Sequence, residues 1–250
     1  MRTTRVTLAV GLAAMFTMAA QPAGANPPGQ PGTLVQVGTY DYLVQPDFTG
    51  LLPINSVRTD QTFGLGTFAN LDGELVMVGG QAYRVRPDGT PTPISGTEST
   101  PFFQATRFTP QVSVPVPPGT ECSALIPLIN AAQGSDQGIV AVRVRGTFRN
   151  LTARSVTADP PPFQPLATTI AEQTIFPLDG QRAVLVGFRQ GSDAKGVGQD
   201  GLHLHGLTAD RTGGGHILSC TAGDDVELSV QTMASVTIKT PGHVHREAPK

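Results

Sequence analysis

The chain of 250 residues has no tryptophan, three tyrosines and two cysteines, and only 14% of it is charged. Each scarcity excludes something. Two cysteines cannot make a disulfide-dense mini-scaffold, and without a paired spacing they are a poor zinc set. The formal net charge of -2 comes with no clustered basic excess, so the electrostatic footprint of a nucleic-acid-binding protein is missing. No glycine-rich loop lies between a strand and a helix, where a phosphate cradle needs it. Internal repeats are absent. One long apolar run occurs, Val6–Ala20, and it is too short and wrongly flanked for a transmembrane anchor.

That run belongs to a targeting segment. Arg2 and Arg5 precede it, and Ala23-Gly24-Ala25 supplies a small-x-small cleavage site. Residues 1–25 are therefore expected to be a signal peptide, and the mature chain is expected to be exported (periplasmic or secreted). Its net charge becomes -4, because the leader carries two arginines and no acid. No membrane partner is expected after cleavage. In an exported protein, Cys122 and Cys220 can pair as a disulfide or remain as buried thiols.

What the chain has in abundance is turn chemistry: 29 glycines and 22 prolines between short, β-branched apolar segments. This predicts a turn-rich, mostly β protein. Residues 26–32 read as a flexible leader. Strands are expected at Thr33–Gly38, Thr62–Phe68, Glu74–Val78 and Gln81–Arg86, the last three as a meander turning at Asp72-Gly73 and Gly79-Gly80. A strand is expected over Thr106–Val116 and a helix, limited by Pro127, over Cys122–Ala132. Gly138–Phe148 alternates apolar residues with Arg143 and Arg145, the pattern of a half-solvated strand. Gln173–Phe176, Ala183–Phe188 and Val226–Ile238 complete the strands. Asp159 and its prolines read as a rigid connector dividing an N-terminal β-rich lobe (33–158) from a C-terminal lobe (159–240), with a solvated tail at 241–250.

Histidine is scarce as well, and its distribution is uneven. Three of the five histidines, His203, His205 and His216, fall between Gly201 and His216. On a strand, His203 and His205 share one face. Ala209–Gly215 carries Asp210, Thr212 and three glycines, so the chain can fold back antiparallel. A register pairing either His205 or His203 with His216 brings the third imidazole to that face. Three imidazoles without a fourth protein donor is the ligand set of a catalytic zinc with an open position. His243 and His245, in the tail, have nothing to bury or orient them. Glu74 by itself reads as an exposed carboxylate at a strand end, and Arg154, expected after a strand, as a surface arginine.

Several blocks occur in a fixed order: Phe63–Phe68 with Leu71–Val76, Pro101-Phe102 with Thr106–Phe108, Gly146–Phe148 with Ala153–Val156, and His203–His205 with Asp210–His216. Together they resemble the α-acetolactate decarboxylase family over residues 33–240. The resemblance implies an α+β, β-rich fold of two sheet-based lobes, a mixed sheet plus a barrel-like sheet, with few short helices, usually a homodimer. It implies that His203, His205 and His216 bind Zn2+, and that Glu74, Arg154 and Thr67 line the active site. The implied partner is a small molecule, 2-acetolactate, decarboxylated to acetoin and CO2 through an enediolate protonated on one face. The family's second active-site glutamate lies past its last core strand, and Glu247 is the carboxylate in that region here. The other readings of the same three histidines are a zinc-dependent hydrolase and an exported, non-catalytic metal-binding protein of the same fold.

Overall fold

The structure, a computed structural model, describes residues 30–45, 47–58 and 60–241. The expected signal peptide, and the tail with His243, His245 and Glu247, lie outside the described residues. In chain order the elements begin with β1 (Gly32–Val37), α1 (Tyr40–Leu43), β2 (Leu52–Pro53), α2 (Asn55–Arg58), β3 (Phe63–Thr67), β4 (Glu74–Val78) and β5 (Gln81–Val85). Next come β6 (Pro91–Pro93), β7 (Ser99–Thr100), β8 (Phe103–Thr106), β9 (Val112–Pro115), α3 (Leu125–Gln133) and β10 (Ile139–Ser155). The last are α4 (Leu166–Ala171), β11 (Thr174–Pro177), β12 (Arg182–Gln190), β13 (Gly201–Thr208), β14 (Gly214–Ala222) and β15 (Glu227–Lys239). No helix among the described residues is long and apolar enough to cross a membrane.

The strands form two connected layers, a β-rich α+β fold with few short helices. One layer is a mixed sheet, β15-β1-β8-β3-β4-β5-β6, in which β1 runs parallel to the second half of β15. The other closes on itself, because β10 pairs with β12 through Ile139–Thr147 and with β14 through Phe148–Arg154, while β13 joins β12 to β14. That closed sheet is the barrel-like element. β15 links the two layers by pairing its first half with β10 and its second half with β1.

Strand alternation decides what each layer buries. Along β4, Leu75 and Met77 join Val37, Ile54 and Phe103 on the outer face of the mixed sheet. Val76 turns the other way and packs with Leu65, Phe188 and Leu207 between sheet and barrel. Glu74 shares the parity of Val76, so the same alternation aims it at the barrel. The barrel interior holds Val142, Val144, Leu185, Leu204 and Ile217, each worth about 1.5–3 kcal/mol of burial if large and aliphatic.

Three expectations need correcting. The segment Thr106–Val116 is two strands: β8 ends at Thr106 in the mixed sheet, and β9 begins at Val112 against β15. Pro110, which has no N–H to give a ladder, lies in the crossing between them. Arg154 does not follow a strand but lies on β10, which runs on past Phe148 to Ser155 with register shifts at Phe148/Asn150 and Thr152/Ala153. The change of layer does not coincide with Asp159. β9 and β10 precede that connector yet pair with β12, β14 and β15 after it, so the barrel takes in residues from 112 onward. The expected helix forms as a 3-10 turn at Cys122–Ala124 followed by α3, with Pro127 in the first turn, where its missing N–H costs nothing. Cys122 and Cys220 are joined by a disulfide that ties this turn to β14.

Candidate metal centre and active site

The histidine hairpin has the register that pairs His205 with His216. Thr208 N donates to Gly213 O at 2.9 Å, closing a loop over Ala209–Thr212. Within the loop, Asp210 accepts from the Thr208 and Thr212 hydroxyls and from Thr212 N, an Asx-type turn that holds the reversal. Gly215, directly before His216, has φ +135, and a Cβ there would stand 2.5 Å from Arg154 O. Only glycine lets β14 approach β10 this closely, and the approach places His216 directly opposite Arg154.

The three imidazoles meet at their nitrogens. His203 Nε2 lies 3.1 Å from His205 Nε2 and 3.1 Å from His216 Nδ1, and the last two are 3.3 Å apart. Four tetrahedral ligands around zinc at its usual bond length to nitrogen would be spaced by about 3.3–3.4 Å. His205 Nδ1 is 2.9 Å from Leu75 O, so its proton is placed there and Nε2 presents a lone pair. His203 Nδ1 is buried with no partner, so a buried polar atom on that ring goes unsatisfied whichever nitrogen carries the proton. Burial is the main cause holding His203 down to a pKa of about 3, with the charge of Arg154 adding to it. His205 and His216 are pushed well below the ordinary histidine range, again chiefly by burial. Three neutral imidazoles with converging lone pairs fit a divalent metal ion.

The mixed sheet adds Thr67 and Glu74, and β10 of the barrel adds Arg154. Glu74 and Thr67 are paired across β3 and β4. Glu74 Oε1 forms a buried ion pair with Arg154 Nη1, and Glu74 Oε2 lies 3.5 Å from His205 Nε2. Burial raises the Glu74 pKa above the ordinary carboxylate range, and the Arg154 charge and hydrogen bond oppose that rise. Thr67 Oγ1 donates to Gly73 O at 2.9 Å, bracing the turn into Glu74, and its lone pairs remain free to accept. All six residues singled out in the sequence line one cleft.

The cleft also holds two polar residues that no sequence signal pointed to. Tyr40 and Gln199 line it, as do the apolar side chains of Phe102, Val156, Leu166 and Ile170. Burial raises the Tyr40 pKa, partly offset by Arg154. Tyr40 is one of only three tyrosines, yet nothing in its local spacing marks it.

Residues 34–246 match the model of the alpha-acetolactate decarboxylase family. The chain belongs to this family. Among its relatives is the alpha-acetolactate decarboxylase of Methanosarcina mazei, 35% identical over 74% of this chain and 64% of that protein, so the chain matches slightly under two thirds of its length. The Bacillus subtilis enzyme of the same name is 29% identical over 83% of this chain and 81% of its own. A crystal structure of alpha-acetolactate decarboxylase from Bacillus subtilis strain 168 superposes with a TM-score of 0.80, covering 85% of this chain and 90% of the other at 29% identity. Membership in the alpha-acetolactate decarboxylases thus agrees with the two-layer architecture described above.

Proposed function

We propose that the chain decarboxylates 2-acetolactate to acetoin and CO2, with zinc as its metal. The observation that carries the reading is the convergence of three neutral histidines with the Glu74–Arg154 pair in one cleft of a chain from this family. His203 Nε2, His205 Nε2 and His216 Nδ1 would hold the ion, which when bound supplies a Lewis acid for negative charge developing on the ketone oxygen.

The chain's own groups account for the other requirements. Arg154 receives the substrate carboxylate, because its one side-chain partner among the described residues is Glu74 and a guanidinium has five N–H donors. The bond from C2 to the carboxylate breaks, CO2 leaves, and the electron pair stays on C2, delocalised onto the neighbouring ketone as an enediolate. A proton must then reach one face of C2. Glu74 delivers it from Oε2, since Oε1 is engaged by Arg154, and burial favours the protonated form. The carboxyl regains its proton from solvent at the cleft mouth. Thr67, whose own proton is committed to Gly73 O, accepts from a substrate hydroxyl. The apolar wall of Phe102, Val156 and Ile170 strengthens these electrostatic contacts by excluding water.

The same reading takes the protein to be exported through residues 1–25, to act as a homodimer on a small molecule, and to have neither nucleic acid nor membrane as partner. Acetoin formation by the purified mature protein, with and without chelator, tests the function. Chelator-sensitive acetoin release is expected, and tight metal binding without turnover of 2-acetolactate would refute the reading.

A further inference from the structure

Three glutamines from three strands distant in sequence converge beneath one wall of the cleft. Gln36 on β1, Gln104 on β8 and Gln190 on β12 are all buried, at 0%, 1% and 5% exposure. Burying three amides is costly unless each finds partners, and here the partners are chiefly the backbone of one irregular segment. Gln36 Nε2 donates to Gly38 O at 2.8 Å and to Val197 O at 2.6 Å, and Gln36 Oε1 accepts from Gln104 Nε2 at 2.8 Å. Gln190 holds the next two residues from the other layer: its Oε1 accepts from Gly198 N at 3.0 Å and its Nε2 donates to Gln199 O at 2.9 Å. Gly198 fills the gap, since a Cβ there would stand 2.6 Å from both Gln104 Nε2 and Gln190 Nε2. Tyr40 N donates to Val197 O at 3.0 Å and Asp41 N to Gly196 O at 3.2 Å, so the clasped segment carries α1 with it. Both ends of this assembly, Tyr40 and Gln199, line the cleft.

We infer that Gln190 and Gln36 are positioning residues for substrate binding. With Gln104 they clamp residues 196–199 between the mixed sheet and the barrel, so that Gln199 and Tyr40 stand as a preformed wall against the bound acid. The inference rests on the proposed reaction. None of the three glutamines lines the cleft. Their effect is on how much of the chain has the wall in place, and so on apparent substrate affinity rather than on the bond-breaking step.

The experiment compares the metal-loaded mature protein with its Gln190→Met and Gln199→Ala variants, by steady-state kinetics on 2-acetolactate and by limited trypsin digestion. Lys195 is exposed at the start of the clasped segment, so cleavage of the Lys195–Gly196 bond reports its release. In Gln190→Met, the loss of two hydrogen bonds of ordinary strength should raise KM and the rate of that cleavage about tenfold each, with kcat within about twofold and metal content unchanged. Gln199→Ala should raise KM while leaving cleavage at Lys195 as in the parent. Unchanged KM in either variant, or a raised KM in Gln190→Met without faster cleavage, overturns the inference. If Gln190→Met does not fold, the KM of Gln199→Ala decides alone. If the parent itself fails to turn over 2-acetolactate, the decarboxylase reading falls, and the trypsin comparison still decides whether Gln190 holds the wall.

Discussion

Replacing Gly187 by alanine should damage metal binding without touching a ligand. Gly187 lies on β12 opposite Leu204, and its neighbours Val186 and Phe188 face His205 and His203. The strands approach so closely here that a Cβ on residue 187 would stand 1.9 Å from His203 O and 2.9 Å from His203 C. Both obstacles are backbone, so no side chain can swing aside. Restoring an ordinary contact of somewhat over 3 Å requires β12 and β13 to separate locally by about 1 Å, at an overpacking cost of about 1–3 kcal/mol. The ligand nitrogens lie 3.1–3.3 Å from one another, and a metal site tolerates errors of only about 0.2 Å in its bonds. Metal affinity should therefore fall about 10–100-fold, the range seen when supporting contacts of a ligand are lost. Competition against a chromophoric chelator reads the affinity, and thermal melting of the chelated protein reads the stability cost. Ile129→Val, a core change on α3 costing about 0.5–1.5 kcal/mol, controls for general destabilisation and should leave affinity as in the parent. A Gly187→Ala protein that binds metal as tightly as the parent would refute the reasoning.

Glu74→Gln should keep the metal and lose about 10²–10⁴-fold in kcat, the usual share of a proton donor, and full turnover at normal metal content would remove Glu74 from that role. Arg154→Lys loses the fork that meets a carboxylate, so kcat/KM should fall about 10–100-fold, and a variant with parental kinetics would sink the clamp. Cys122 and Cys220 are 98 residues apart, and in the chain-entropy model a loop of that length stabilises the fold by about 4–5 kcal/mol. Guanidinium unfolding of Cys122→Ser/Cys220→Ser should show most of that loss, whereas an unmoved midpoint would disprove it. Asp72 is held below the ordinary carboxylate range, first by its hydrogen bond from Arg86 and then by the charges of Arg84 and Arg86. The folded-state pKa is the lower one, so its contribution is fully present above the unfolded pKa and is lost as pH falls through the folded value. Stability of Asp72→Asn relative to the parent should thus be reduced at neutral pH and should converge with it below pH ~4, and a constant gap down to acid would contradict this.

The three clustered histidines were legible because their signal is local. Two histidines at a spacing of two, a turn rich in glycine and a third histidine beyond it fix a face and a reversal with no knowledge of the rest of the chain, and the observed His205–His216 pairing is one of the two registers that pattern allowed. The β3–β4–β5 meander was legible for the same reason. Errors arose where pairing is long-range. The prolines after Asp159 look like a boundary, but β10 belongs to strands that follow it, and no local pattern shows that. The glutamine clasp draws on positions 36, 104 and 190, each an unremarkable residue in its own strand. Glu74 is the telling case. Its neighbours make it a strand-end carboxylate that should face water, and a glutamate in water is ionised at neutral pH. Only the packing of β4 against β13 and β14 buries it beside His205 and Arg154, and it is burial that raises its pKa against the opposing charge of Arg154. Charge state here is a tertiary property. Sequence reasoning could name the residue through its family, but the acidity on which the proposed step depends exists only once the two layers have closed over it.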